Sequence, residues 1–311
     1  MKKIYVTLAF VFMVVLKSEA QQDPQYTQYM YNMNVVNPAY AGSKDNLSIG
    51  LLYRTQWVDI NGAPKTGTLT VHSPVGKNVG LGLSAITDKI GPVDETNVYA
   101  DFSYTIKMAD HHNLAFGLKA GATFHQVGLF SDIGNGYVPS PDDPAFSENI
   151  SNTYLNIGAG AYYYTSNYYV GFSVPNMLKS KHLDVTQNGE EREFGSETQH
   201  YFLTGGYVFD LSDNTKFKPS FMLKSAFNAP TSLDLSANAL FYEKFEVGAS
   251  YRLDDSFGGM VNFAVSPSIR IGYAYDHIVS DLNVVTHASH EFILLFDLNF
   301  AEKTSVSPRF F

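Results

Sequence analysis

The run Glu291-Phe-Ile-Leu-Leu-Phe-Asp-Leu-Asn-Phe300 constrains this chain most. Phe292, Leu294, Phe296, Leu298 and Phe300 share one face. Glu291, Asp297 and Asn299 share the other, with Ile293 and Leu295 between them. A period of two is a strand, because successive side chains point to opposite faces. About ten residues with one apolar face is the length and pattern of a transmembrane β-strand. A barrel that closes in lipid must end on a strand able to pair with its first.

The rest of the chain supplies the other strands. Stretches 47–57, 66–74, 79–87, 96–107, 113–126, 153–164, 168–174, 198–210, 216–226, 232–242, 245–252, 257–265 and 268–276 precede the last one, 291–300. The count predicts an all-β fold, a transmembrane antiparallel barrel of about fourteen strands. In 113–126, Phe116, Leu118 and Phe124 oppose Lys119 and His125. Connections alternate in kind. Those at 75–78, 108–112, 165–167, 211–215, 243–244 and 266–267 are short. Those at 58–65, 88–95, 127–152, 175–197, 227–231, 253–256 and 277–290 are generally longer. Short turns on one rim and long loops on the other describe an outer-membrane barrel, with the short turns periplasmic. An even strand count puts both termini on that side.

Composition agrees. Aromatic residues make up 14% of 311, with 21 Tyr and 23 Phe but 1 Trp. Tyrosine, with an apolar body and a polar tip, suits the girdles at membrane interfaces. There is no cysteine, so disulfides, thiolate metal sites and cysteine nucleophiles are excluded. The net charge of −9 argues against nucleic acid as a partner. Residues 1–20 read as a cleaved signal peptide: Lys2-Lys3, the apolar Ile4–Leu16, and Ser18-Glu-Ala20 before Gln21. The mature chain is then more acidic still and leaves the cytoplasm.

Residues 21–46 are expected to form an amino-terminal periplasmic or plug segment. Tyr26, Tyr29 and Met30 recur at helical spacing, and Asn37-Pro38 ends the pattern. The barrel is expected over 47–300, and a tail over 301–311. Arg54, Asp234, Glu246, Arg252, Arg270 and Asp276 fall on polar faces and form a candidate network of lumen charges. Gly80, Gly82, Gly158 and Gly160 on those faces leave room for an inserted segment.

Catalytic chemistry finds little support. His287-Ala-Ser-His290 beside Glu291, and Asp276-His277, have metal-ligand residue types. No helix presents them together, so a solvated loop and a strand start is the better reading. Ser289 has no nucleophile motif around it. The expectation is no enzyme, no cofactor and no metal.

Several motifs, taken in order, are similar to a known family. They are Asp23-Pro-Gln-Tyr-Thr-Gln-Tyr-Met-Tyr-Asn32 with Val36-Asn-Pro-Ala-Tyr-Ala-Gly-Ser43, Arg54-Thr-Gln-Trp57 with Gly62-Ala-Pro-Lys-Thr66, and Asp88-Lys-Ile-Gly-Pro92. Further on come Gly171-Phe-Ser-Val-Pro175, Tyr251-Arg252, Gly272-Tyr-Ala-Tyr-Asp276, Ser289-His-Glu291 and Ser307-Pro-Arg-Phe-Phe311. Together they resemble the PorP/SprF family of type IX secretion membrane proteins. The resemblance implies a non-enzymatic outer-membrane barrel in a Gram-negative bacterium. Its implied partners are a secreted cell-surface protein, of the gliding-adhesin type, bearing a carboxy-terminal sorting domain, and periplasmic components that reach peptidoglycan. Docking on the two longest loops would use Phe130, Tyr137 and Phe146 in the first, and Lys179, Lys181 and Arg192 in the second. The rival is a FadL-like or porin-like channel for small molecules.

Overall fold

The computed structural model describes residues 24–128, 150–178, 181–187, 190–196, 199–226 and 229–298. The stretch 1–20 expected as a signal peptide, the tail and most of the first long loop lie outside them.

Seventeen strands follow in order. The first seven are β1 Leu47–Thr55, β2 Lys65–Pro74, β3 Val79–Ile90, β4 Val93–Ala109, β5 His112–Val127, β6 Ile150–Tyr164 and β7 Tyr168–Val174. Then come β8 Lys181–Gln187, β9 Glu190–Ser196, β10 His200–Tyr207, β11 Phe209–Ser212 and β12 Thr215–Ala226. The last five are β13 Ala229–Phe241, β14 Phe245–Arg252, β15 Ser256–Ser266, β16 Ile269–Ile278 and β17 Ala288–Leu298. Strands β8 and β9 form a hairpin of their own. Strands β10 and β11 are two parts of one barrel strand interrupted at Val208, since both pair with β12. Fourteen barrel strands result, each antiparallel to its neighbours. β1 pairs with β17 from Leu47↔Leu298 to Thr55↔His290, which closes the ring and leaves no edge.

Alternation sets the two faces. On β1, Tyr53 is 50% exposed and Arg54 1%. On β5, Phe116, Leu118 and Phe124 face outward, while Lys119 and His125 are buried inside. On β17, Phe292 and Leu298 are exposed, and Ile293 and Leu295 are buried in the lumen. That explains the unbroken apolar run 292–296: one face meets lipid and the other meets protein.

Two connections differ from expectation: 175–197, expected as a loop, carries the hairpin β8–β9, and the β3–β4 connection is shorter. Residues 88–95 were expected as a longer loop. Instead the β3–β4 ladder continues through Asp88↔Glu95 and Ile90↔Val93. It turns on Gly91 and Pro92 alone, with Gly91 at φ +55, a conformation that glycine tolerates. The stretch lacks an apolar face because both faces are solvated or pack on polar groups, so periodicity is silent there. The wall is accordingly uneven. β4, β5 and β6 run 17, 16 and 15 residues. β7 and β14 run 7 and 8.

Candidate functional site: a filled lumen

Residues 24–43 lie inside the barrel. They fold into a 3-10 turn at Tyr29–Tyr31, one α-helical turn at Met33–Val36, and a 3-10 turn at Pro38–Tyr40. The last begins locally. The Asn37 carboxamide oxygen accepts the Ala39 N–H at 3.0 Å, and Pro38 occupies the first turn position, where no N–H is needed. Tyr29, Met33 and Ala39 are almost wholly buried. They cluster with Leu52, Phe202, Met222, Met260, Ile293 and Leu295 from the wall.

Polar contacts follow the segment along the lumen. At its amino end, the Arg252 guanidinium donates to the Gln25 side chain at 2.9 Å. Arg252 also grips Asp234 through two bonds, of 2.8 and 3.0 Å. Next, the Thr27 and Gln28 N–H groups donate to the Glu291 carboxylate at 2.9 and 2.8 Å. Arg54 ties this point together. It lies 3.1 Å from Glu291 and 2.7 Å from Asp276, and it donates to Thr27 Oγ1 at 2.8 Å. Both carboxylates and the guanidinium are buried, so the charges are compensated where water is scarce.

Further along, the Tyr29 hydroxyl donates to Ser220 at 3.2 Å. The Tyr31 hydroxyl donates to Glu246, which also takes Arg270 at 3.0 Å. Burial holds both phenols well above their ordinary pKa, and the Glu246 charge adds to this for Tyr31. Both therefore remain neutral donors. Asn34 donates to Asp101 at 3.0 Å. Lys119, 3.5 Å from Asp101, donates to the Asn34 and Val35 carbonyls. Ser173 donates to the Val36 carbonyl at 2.8 Å, and Asn37 to that of Ala161 at 3.1 Å. Lys44 meets Asp297 at 3.2 Å beyond the segment's end.

Glycines on the wall make the room. A Cβ on Gly117 would strike the backbone of Pro38 and Ala39, and one on Gly80 the Ala41 carbonyl. One on Gly160 would strike the Asn37 side chain, and one on Gly82 would crowd Asn34 at 3.0 Å. Gly158, expected to serve the same purpose, instead faces Pro175, just beyond β7. Gly42, at φ +69, carries the chain past Gly80 toward β1, where any side chain would be strained.

The segment was expected to be periplasmic or a plug, and it is not confined to the periplasmic end. It runs the length of the lumen, from Arg252 at the loop rim to Gly80 at the turn rim. Its amino end thus points to the rim opposite the one where β1 begins. The candidate network of lumen charges does not bridge the bore. The charges pair along the wall instead: Asp234 with Arg252 on adjacent strands, and Arg54 with Asp276 one strand apart. A bore of fourteen strands is too wide for paired side chains to cross, and the segment fills it.

Other candidates take separate partners. His287 pairs with Asn283 at 2.8 Å and His290 with Tyr273 at 2.7 Å. Ser289 accepts the Trp57 N–H at 3.2 Å. Phe130, Tyr137, Phe146 and Lys179 lie outside the described residues. Lys181 and Arg192 fall on β8 and β9, opposite Ser196 and Val185 in the ladder. Two contributors were missed: Glu291, read only as part of a polar face, and Asp101, whose partner Lys119 had been noted. Their strict alternation with outward apolar neighbours was the available signal.

Solved barrels share this fold. The CymD monoaromatic hydrocarbon channel aligns with a TM-score of 0.55 and 14% identity, over 89% of this chain and 94% of that one. The Ralstonia pickettii toluene transporter TbuX gives 0.52 and 12%, over 86% and 93%. Comparison with curated proteins returns no match. The family model for type IX secretion system membrane protein PorP/SprF matches residues 18–296. On that match, nearly the whole length of a closed fourteen-strand barrel, the chain belongs to the PorP/SprF family.

Proposed function

We propose that this barrel docks a secreted surface protein through that protein's carboxy-terminal domain, at the rim bearing the long loops. Family membership makes it an outer-membrane component of type IX secretion, and docking is the finer reading. The uneven wall carries it. Connections 128–149 and 175–199 both spring from or beside the tall strands β4–β6, and the second bears its own two-stranded hairpin, β8–β9. Loops on a rigid scaffold are where binding usually resides. With short turns periplasmic, as in other outer-membrane barrels, these loops face outward. The aromatic set Phe130, Tyr137 and Phe146 would supply anchors. Lys179, Lys181 and Arg192 would set electrostatic fit.

The test replaces each loop by a short Gly-Ser turn, verifies insertion by heat-modifiable migration, and measures surface display of the co-purifying secreted protein. Loss of display with an intact barrel is expected. Normal display without either loop removes them from the mechanism.

The second reading is a small-molecule channel. The hydrocarbon channel and toluene transporter that share the fold favour it. The filled lumen opposes it, since a continuous path needs residues 24–43 to move.

A further inference from the structure

We propose that residues 24–43 are a removable stopper, and that their release opens an aqueous pore through the barrel. This goes beyond docking and does not depend on it.

The barrel closes without the segment. Every barrel strand pairs with two neighbours, and no residue of 24–43 joins the ladder. Removing it breaks no backbone pairing of the wall. At Gly80, Gly82, Gly117 and Gly160 the wall presents no side chain to it. Its charged contacts fall at four points: Arg252 on Gln25, the Arg54–Glu291–Asp276 cluster on Thr27 and Gln28, Glu246 with Arg270 on Tyr31, and Asp101–Lys119 on Asn34 and Val35. The segment has no element longer than one helical turn, so little regular structure is lost when it leaves.

The seat is also imperfect. Both polar atoms of the Gln28 side chain are buried with no hydrogen-bond partner among the described residues, as are both of Asn262 and the Nε of Arg54. Each such group carries a desolvation cost, which hydration of the emptied lumen relieves. The wall thus uncovered carries charges of both signs and glycine beside the apolar Leu52, Phe202, Met222, Met260, Ile293 and Leu295, and its fourteen strands lie between the roughly eight that side chains fill and the roughly 16–18 of porins.

The absence of cysteine makes a direct test possible. A Cβ on Gly82 lies 3.0 Å from the Asn34 amide. The double variant Asn34→Cys with Gly82→Cys therefore puts two thiols at facing positions midway along the segment, and bridge formation under oxidant is verified by loss of free thiol before conductance is measured. The full-length protein is studied in planar bilayers in KCl, with each single variant as a control. Rare openings are expected from the parent protein and from the reduced double variant. Oxidation should abolish them and reductant restore them. Separately, Glu291→Gln weakens the grip on Thr27 and Gln28. It should raise the open fraction about tenfold, the shift expected from losing one charge-assisted hydrogen bond. The proposal is overturned by an oxidised double variant that conducts like the reduced one. It is equally overturned if neither the parent nor Glu291→Gln opens at all. The two arms are independent, so a Glu291→Gln protein that fails to insert leaves the disulfide comparison decisive.

Discussion

The outer and inner faces of β17 are built to different specifications. Outside, Phe292, Leu294, Phe296 and Leu298 meet lipid, which accepts any apolar shape. Inside, Glu291 receives two backbone N–H groups of the luminal segment, Ile293 and Leu295 pack in the cluster with Tyr29 and Met33, and Asp297 meets Lys44. The outer face answers to a solvent and the inner face to particular atoms. Outer substitutions should therefore be judged by polarity alone, and inner ones by which contact they remove.

The largest effect should come from breaking the outer rule. Leu294 sits mid-strand, opposite Leu51 and Ile271. Leu294→Arg should cost about 2–4 kcal/mol, the range for a lipid-facing cation near the midplane. Loss of heat-modifiable migration is the measurement. A variant that inserts like the parent would show that this face does not meet lipid.

The difference between the faces also explains what was legible in the sequence. All fourteen barrel strands could be placed within a few residues, because lipid imposes a period that any window reveals. The Asp88–Glu95 turn could not, because no lipid acts there and both faces are polar. The aromatic and Met content of 26–33 marked a buried segment. The groups that bury it could not be read, since Thr27 and Glu291 are 264 residues apart. Long-range pairs of this kind leave no local periodicity. Arg54, Asp234, Glu246, Arg252, Arg270 and Asp276 were recognisable as inward charges by alternation, whereas the partner of each depends on strand stagger and on the inserted segment.

The next effect tests the inner rule by shape. Gly117→Leu keeps an apolar character but drives a side chain into the Pro38–Ala39 backbone. Overpacking of this kind costs about 1–3 kcal/mol. The barrel should still insert, because its ladder is untouched, while limited proteolysis should cut within 24–43 far sooner than in the parent. Unchanged protection would mean that the segment has another seat.

Arg252→Lys tests the inner rule by geometry at constant charge. The guanidinium fork holds both oxygens of Asp234 and reaches Gln25 as well. An ammonium is a point charge and cannot keep all three contacts. A loss of about 1 kcal/mol is expected in denaturant unfolding, with earlier proteolysis near Gln25 than near Gly42. An even loss of protection along the segment would argue against a local grip at its amino end.

The smallest effect should come where the inner face meets water. Asp297 lies near the turn rim, and its side chain keeps 32% of its exposure while paired with Lys44. Solvent screens such a pair, and exposed pairs contribute about 0.2–1 kcal/mol. Asp297→Asn retains an acceptor for the Ser48 hydroxyl, which now donates at 2.6 Å. It removes only the charge opposite Lys44. Insertion, migration and protection of 24–43 should all match the parent, and the small difference in denaturant midpoint should vanish at high salt. A large defect at Asp297, comparable to that of Leu294→Arg, would mean that the turn rim is closed to water. The distinction between a particular inner face and a permissive outer one would then have to extend past the end of the barrel.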